Sequence, residues 1–383
     1  MVSHPTSRLL PLLILVACGG ETPPPPLPPP PPPAPTASEV PPAAPSAAVV
    51  AVVADAGAPR PVGPAQLTFK PVALPGAAAP ASLDYLAYDA AHARVWVPVG
   101  NTGSADVFDT STGSFTRVDG FKTAEREYKG KTRTAGPSAV AIGDGFAYVG
   151  DRATGEVCAV DEARLTLGRC LKLPSSGDGV EYVAAEKQVW VTMPGAKAIA
   201  VLDAARPDTL KLESRIPLDG KPEGYAVSAK PGSGSFFTNL EDKNKTVVID
   251  VKTRRPRETW PLDCGSDGPR GIAVDAEHGF VFVACTDHLL VLDASNKGAK
   301  VASLETGAGV DNIAWLAPQR LLYVAAGKAA RLTVARVDDK GQPTVVATGA
   351  STEGARNAVA DPSGNAYVAD PVNARLLVFP YVP

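Results

Sequence analysis

A chain of 383 residues, 45% hydrophobic and 20% charged, has the composition of a soluble globular protein with enough material for one large core. Its net charge of −3 argues against a nucleic-acid partner, because phosphate binding needs a basic footprint.

The chain starts with an address segment, residues 1–17. Arg8 gives a weakly basic start, Leu9 to Ala17 is an apolar run broken only by Pro11, and small residues precede Cys18. So short a run cannot cross a hydrocarbon layer of ~30 Å as a helix. Leu15-Val16-Ala17-Cys18-Gly19 resembles a bacterial lipobox. The resemblance implies cleavage before Cys18 and lipidation of that residue, the alternative being a plain secretory signal with an incidental cysteine. Gly19 in place of Asp after the cysteine implies an outer-membrane lipoprotein, on the periplasmic face or the cell surface. The lipid is then the chain's only hold on the membrane.

Residues 18–65 form a Pro-rich tether, with seventeen prolines between residues 19 and 65. Proline fixes φ and removes a donor, so this stretch is expected as extended polyproline II. At ~3.1 Å per residue it reaches on the order of 100 Å.

Residues 66–383 carry one phrase seven times: an apolar run ending on an aromatic, a polar loop, and a second apolar run. The aromatics are Trp96, Tyr148, Trp190, Phe237, Phe282, Tyr323 and Tyr367, spaced 52, 42, 47, 45, 41 and 44 residues apart. A forty-odd-residue period built from strands and turns predicts an all-β, seven-bladed β-propeller. In the fifth repeat the strands read Gly271–Asp275, Phe280–Val283, Leu289–Asp293 and Lys300–Leu304. The third strand ends on Asp in six repeats, at Asp109, Asp161, Asp203, Asp250, Asp293 and Asp338, which suits turn capping. The last repeat stops after three strands. Leu67 to Val72 reads as the missing outer strand, so an N-terminal strand is expected to close the last blade.

Trp96-Val97-Pro98-Val99-Gly100-Asn101, Phe237-Thr238-Asn239, Val247-Val248-Ile249-Asp250 and Pro269 to Asp275 resemble the strand motifs of the YVTN family of seven-bladed propellers. The resemblance covers about residues 66–383 and implies the fold. Such rings host binding proteins, lactonases and haem enzymes alike.

Four cysteines follow Cys18, and an even number in an exported domain reads as disulfides. The strand positions favour Cys158–Cys170 and Cys264–Cys285 among three connectivities, against buried free thiols. His92 and His278 occupy the same repeat place, which signals a turn preference, and His288 stands alone. There is no His-Glu-x-x-His, Gly-x-Ser-x-Gly, Gly-rich phosphate loop or Cys-x-x-Cys-His, so zinc hydrolysis, serine-triad chemistry, nucleotide use and covalent haem are disfavoured.

Chemistry is therefore expected at the funnel mouth. Aligned repeats place Asp84, Ser138, Asp178, Glu223, Arg270, Asp311 and Arg356 at one rim position, four carboxylates against two arginines. The next position carries Tyr85, Ala139, Gly179, Gly224, Gly271, Asn312 and Asn357. Carboxylates with Asn suit a hard cation, so Ca²⁺ in the funnel is a possible cofactor, with no other predicted. Asp84, Glu223, Asp311, Asn312 and Asn357 would then serve a metal-dependent lactonase, hydrolase or lyase. A salt-bridged, water-filled funnel is the simpler alternative.

Between the first two repeats, Gly120 to Gly136 reads as a long loop on the same face. It carries Lys122, Arg126, Tyr128, Lys129, Lys131 and Arg133, opposed by Glu125 and Glu127. The leading expectation is a monomeric binding or scaffold module of the cell envelope. Arg126, Tyr128, Lys129, Lys131 and Arg133 would contact a protein or polymer partner. The funnel hydrolase stands second and single-strand nucleic-acid binding third.

Overall fold

Each of the seven repeated aromatics lies on the second strand of a blade built on four antiparallel strands, and each is buried. The computed structural model describes residues 63–381, apart from Lys129 and residues 231–232. The expected signal segment, Cys18 and the expected tether up to residue 62 lie outside the described residues.

The sheets follow one another along the chain as seven blades. Their inner strands are Ala87–Asp89, Pro137–Gly143, Val180–Val183, Pro222–Lys230, Ile272–Asp275, Val310–Leu316 and Asn357–Ala360. Second and third strands are covered on both faces, which is why they read as unbroken apolar runs: Phe280–Ala284 is buried at every position. Outer strands such as Arg255–Pro261 are mostly exposed and correspondingly polar.

The aromatics fill the spaces between blades. Tyr148 stacks on Tyr182 of the next blade at 5.5 Å, Trp190 meets Phe236 at 4.8 Å, and Phe282 meets Trp315 at 4.8 Å. A large ring is needed once per blade because adjacent twisted sheets diverge and the wedge between them must be filled. The six third-strand aspartates are turn residues as expected. Asp109 accepts from the Thr112 amide, Asp161 from Arg164, Asp203 from Ala205, Asp250 from Thr253, Asp293 from Ser295 and Asp338 from Lys340. Hydrogen bonds from the Ser111 hydroxyl and the Thr112 amide hold the Asp109 carboxyl down at about 2.

Ring closure departs from the single strand anticipated over Leu67 to Val72. Two short strands share the work. Strand β1 (Ala65–Leu67) runs parallel to Pro343–Ala350 as a fifth strand of blade 6. Strand β2 (Lys70–Ala73) pairs antiparallel with Arg375–Phe379 and completes blade 7. Between them Phe69 turns the chain from one blade to the next, its ring 5.4 Å from Phe379 and beneath the Arg375 guanidinium. Both expected disulfides are present. Cys158–Cys170 joins directly opposed residues of blade 2, and Cys264–Cys285 ties the exit of blade 4 to blade 5.

Candidate functional site

Inner strands begin at the funnel face, so residues at or shortly before the start of each strand are delivered to one rim. The structure brings Asp84, Asp178, Glu223, Arg270, Asp311 and Arg356 together there, and every one of them is ion-paired. Arg356 Nε lies 3.0 Å from Asp311 Oδ2. Arg270 Nη1 lies 2.6 Å from Glu241 Oε2 and 3.6 Å from Glu223 Oε1. Arg152 clamps two acids at once, donating to Asp84 Oδ2 at 2.7 Å and to Asp178 Oδ1.

Crowding of like charges under partial burial marks this rim electrostatically. Burial pushes the Asp178 carboxyl up to about 6, against the lowering pull of Arg152. Burial, then the neighbouring Asp178 and Asp311, raises Glu223 well above the usual carboxylate range, and burial also raises Asp311. Burial works against the charge on Arg152, but Asp178 and Asp84 outweigh it.

The next tier is a neck. Tyr85 of blade 1 and Tyr225 of blade 4 meet across the axis. Gly179 makes room for this, since a Cβ there would lie 1.9 Å from the Tyr225 ring. Asn357 is spent in the neck wall. Its Nδ2 donates to the Asp84 main-chain oxygen at 2.9 Å and its Oδ1 accepts from the Asn312 amide at 3.1 Å. Asn357 thus knits blades 6, 7 and 1 together at the axis.

Beneath the neck lies a chamber of about 310 Å³ lined by residues from all seven inner strands, among them Tyr88, Ile142, Tyr225, Ile313 and Val359. Asn312 borders it too. The one carboxylate in its wall is Glu181, which has no hydrogen-bonding or ion-pairing partner among the described residues. Burial alone pushes that carboxyl up to about 8.

Arg152, Glu241 and Glu181 were not among the residues anticipated from sequence. Arg152 and Glu241 share one repeat position, the turn after the second strand, which antiparallel pairing returns to the rim. The signal for Glu181 in the sequence is a charge inside the apolar run Val180-Glu181-Tyr182-Val183.

The segment Gly120 to Gly136 is not an irregular loop. It forms a β-hairpin, Ala124–Tyr128 against Lys131–Ala135. Alternating Thr and charged residues favour pairing, and Thr132 and Thr134 donate across the strands to Glu127 and Glu125. Its base is bound to the rim: the Ser82 hydroxyl donates to the Thr134 oxygen at 2.7 Å and Arg126 Nη2 to the Ala153 oxygen at 2.7 Å. Arg126, Lys131 and Arg133 are exposed, whereas Lys129 lies outside the described residues.

Among the described residues, the side chains whose metal-ligating atoms converge within 4.8 Å are Asp89, His92 and Glu162, on the opposite face. In the funnel a Ca²⁺ ion would have to displace Arg152 from Asp84 and Arg356 from Asp311.

No protein-family model matches the chain, and neither does any curated protein. Solved structures do. A chain of Kuenenia stuttgartiensis hydrazine synthase has TM-score 0.66 at 16% identity, covering 81% of this chain and 99% of that one. The Cps50 (Swd1) β-propeller domain of Myceliophteria thermophila has TM-score 0.64 at 9% identity, covering 82% and 100%. Virginiamycin B lyase from Staphylococcus aureus has TM-score 0.62 at 10% identity, covering 82% and 100%. At such identities the likeness establishes the β-propeller fold alone.

Proposed function

We propose that this chain is a binding or scaffold module of the cell envelope. In this reading a lipid on Cys18 holds it at the outer membrane, and an envelope protein or polymer docks on its funnel face. The observation that carries the reading is Arg152 locked between Asp84 and Asp178 above the Tyr85–Tyr225 neck. The rim charges are paired and the floor is closed, which favours a stiff platform over an open catalytic cleft. The hairpin rises beside this platform with Arg126, Lys131 and Arg133 outward, which suits an anionic partner surface. Large exposed hydrophobics among the described residues are limited to Leu212 and Val372, so selection by charge and hydrogen bonding fits better than a greasy interface. The YVTN-like strands and the propeller neighbours are compatible with a protein-binding role by analogy only.

The test is crosslinking in intact envelopes, comparing the parent with a variant carrying Arg126→Glu, Lys131→Glu and Arg133→Glu. Loss of at least tenfold in crosslinked partner is expected, and equal capture by the variant would sink the reading. The metal-dependent hydrolase or lyase of the funnel predicts a rise in melting temperature with added Ca²⁺, reversed by EGTA.

A further inference from the structure

On the face away from the funnel, two blades bring together a set of side chains that funnel binding does not use. Asp89 ends the inner strand of blade 1, His92 sits in the turn after it, and Glu162 follows the third strand of blade 2. His92 Nδ1 lies 2.8 Å from Asp89 Oδ2 and 3.7 Å from Glu162 Oε2. Asp89 is 0% and Glu162 2% exposed, and Glu162 Oε1 is buried with no hydrogen-bond partner.

Two buried carboxylates this close need a counter-charge. Among the described residues neither is paired with a lysine or arginine. The nearby Arg94 spends its Nη1 on the Glu162 main-chain oxygen, at 2.9 Å.

The molecule contains its own control. Blade 5 repeats the same turn, with His278 Nδ1 3.0 Å from Asp275 Oδ2. There Arg320 of the next blade supplies the cation, its Nη1 3.5 Å from Asp275 Oδ2 and against the His278 ring. Blade 5 also has a third carboxylate, Asp339 of the next blade, 3.8 Å from His278 Nε2, but it is exposed and lies 3.7 Å from the same Arg320 guanidinium. Glu162, by contrast, is buried, and no arginine pairs with it or with Asp89 among the described residues. One Asp–His turn is finished internally, and the other lacks its positive charge.

We infer that Asp89, His92 and Glu162 bind a divalent transition-metal ion of the Zn²⁺ class, bridging blades 1 and 2. One imidazole nitrogen with two carboxylates suits Zn²⁺, whereas Ca²⁺ takes six to eight oxygens. Zinc bonds of ~2.1 Å in a tetrahedron set ligand atoms about 3.4 Å apart, a value the two observed separations bracket. The ligands are also held in place. Asp89 Oδ1 accepts from the Ala91 and His92 amides at 2.9 and 3.1 Å, which leaves Oδ2 for the ion. His92 is partly exposed and opens the route in, and water completes the coordination. The ion is a staple between blades, in the place that Arg320 fills elsewhere.

The experiment uses the full chain, stripped of metal, titrated with ZnCl₂ by calorimetry and melted with and without the ion. Co²⁺ is the spectroscopic probe. The parent is expected to take one Zn²⁺ per chain, to gain about 3 °C or more in melting temperature, and to show a visible Co²⁺ band. His92→Ala and Glu162→Gln should each weaken binding at least tenfold and abolish the band, while His278→Ala should keep both. Glu162→Gln removes a buried charge, so it folds whether or not His92→Ala does. Absence of stoichiometric binding, or binding that survives Glu162→Gln, overturns the assignment, and so does equal loss in His278→Ala.

Discussion

Tyr85 and Tyr225 come from blades 1 and 4, as far apart as two blades of a seven-membered ring can be, yet their ring centroids lie 5.4 Å apart. Contact across the axis means that the ring has no open bore at this level. Burial, reinforced by Glu223 and Asp178, keeps the Tyr85 hydroxyl protonated well beyond its ordinary range, so the neck is neutral beneath a charged rim. Truncating Tyr225 to Ala is expected to cost about 3 kcal/mol and to speed amide exchange in Val180–Val183, read by denaturant titration and hydrogen exchange. Tyr225→Phe, which keeps the ring, should cost under about 1 kcal/mol.

The clamp by Arg152 makes a second prediction. Arg152→Met leaves Asp84 and Asp178 facing each other without their shared cation, at a cost of about 2 kcal/mol, reduced from the fully buried case because the guanidinium is partly exposed. Adding Asp178→Asn should recover most of that loss, because the second change removes one of the opposed charges. Unfolding midpoints of the two single variants and the double variant form the cycle that checks it.

Glu181 should tilt the pH profile of stability. Its folded carboxyl titrates at about 8, whereas an unfolded glutamate titrates near ~4.3. Between those values the folded state holds a proton that the unfolded state has lost, so stability falls as pH rises through this window. Below it the group contributes nothing, and above it the full penalty is present. Glu181→Gln should flatten the profile by up to about 1.4 kcal/mol per pH unit in the window, measured as midpoint against pH. A profile unchanged by the substitution contradicts the assignment.

The disulfides differ in what they hold. The bridged residues are 12 apart within blade 2 and 21 apart across blades 4 and 5. Chain-entropy arguments give about 3 kcal/mol for each, with the longer loop ahead by about 0.5 kcal/mol. Serine pairs at Cys158 and Cys170, and at Cys264 and Cys285, should therefore rank in that order by denaturant midpoint.

Much of the ring is legible because a propeller repeats its physics. Trp96 and its six counterparts recur because each inter-blade wedge needs one large ring, and Asp109 and its counterparts recur because each turn needs an acceptor. The rim residues also follow from register, since each inner strand starts at the same height. What escaped depends on contacts that no single repeat contains. Arg152 matters because Asp84 and Asp178 come from the blades on either side of its own. Glu162 matters because it comes from the blade next to the one that carries Asp89 and His92. The hairpin was hidden because Thr132 and Thr134 sit in a run too charged to look like strand. Strand β1 was hidden because its partner, Pro343–Ala350, lies near the other end of the chain.

The division of closure between β1 and β2 sets a timetable for biosynthesis. Blade 7 combines β2, from the start of the ring, with the last strand, Arg375–Phe379, so no amount of early folding can finish it. While the chain is still emerging, blades 1 to 5 can assemble from neighbouring segments. During that time β1 and β2 wait with nothing to pair against. The seam on blade 6 can seal once Pro343–Ala350 has emerged, but the seam on blade 7 seals only with the final strand, and a nascent chain is open to wrong partners until then.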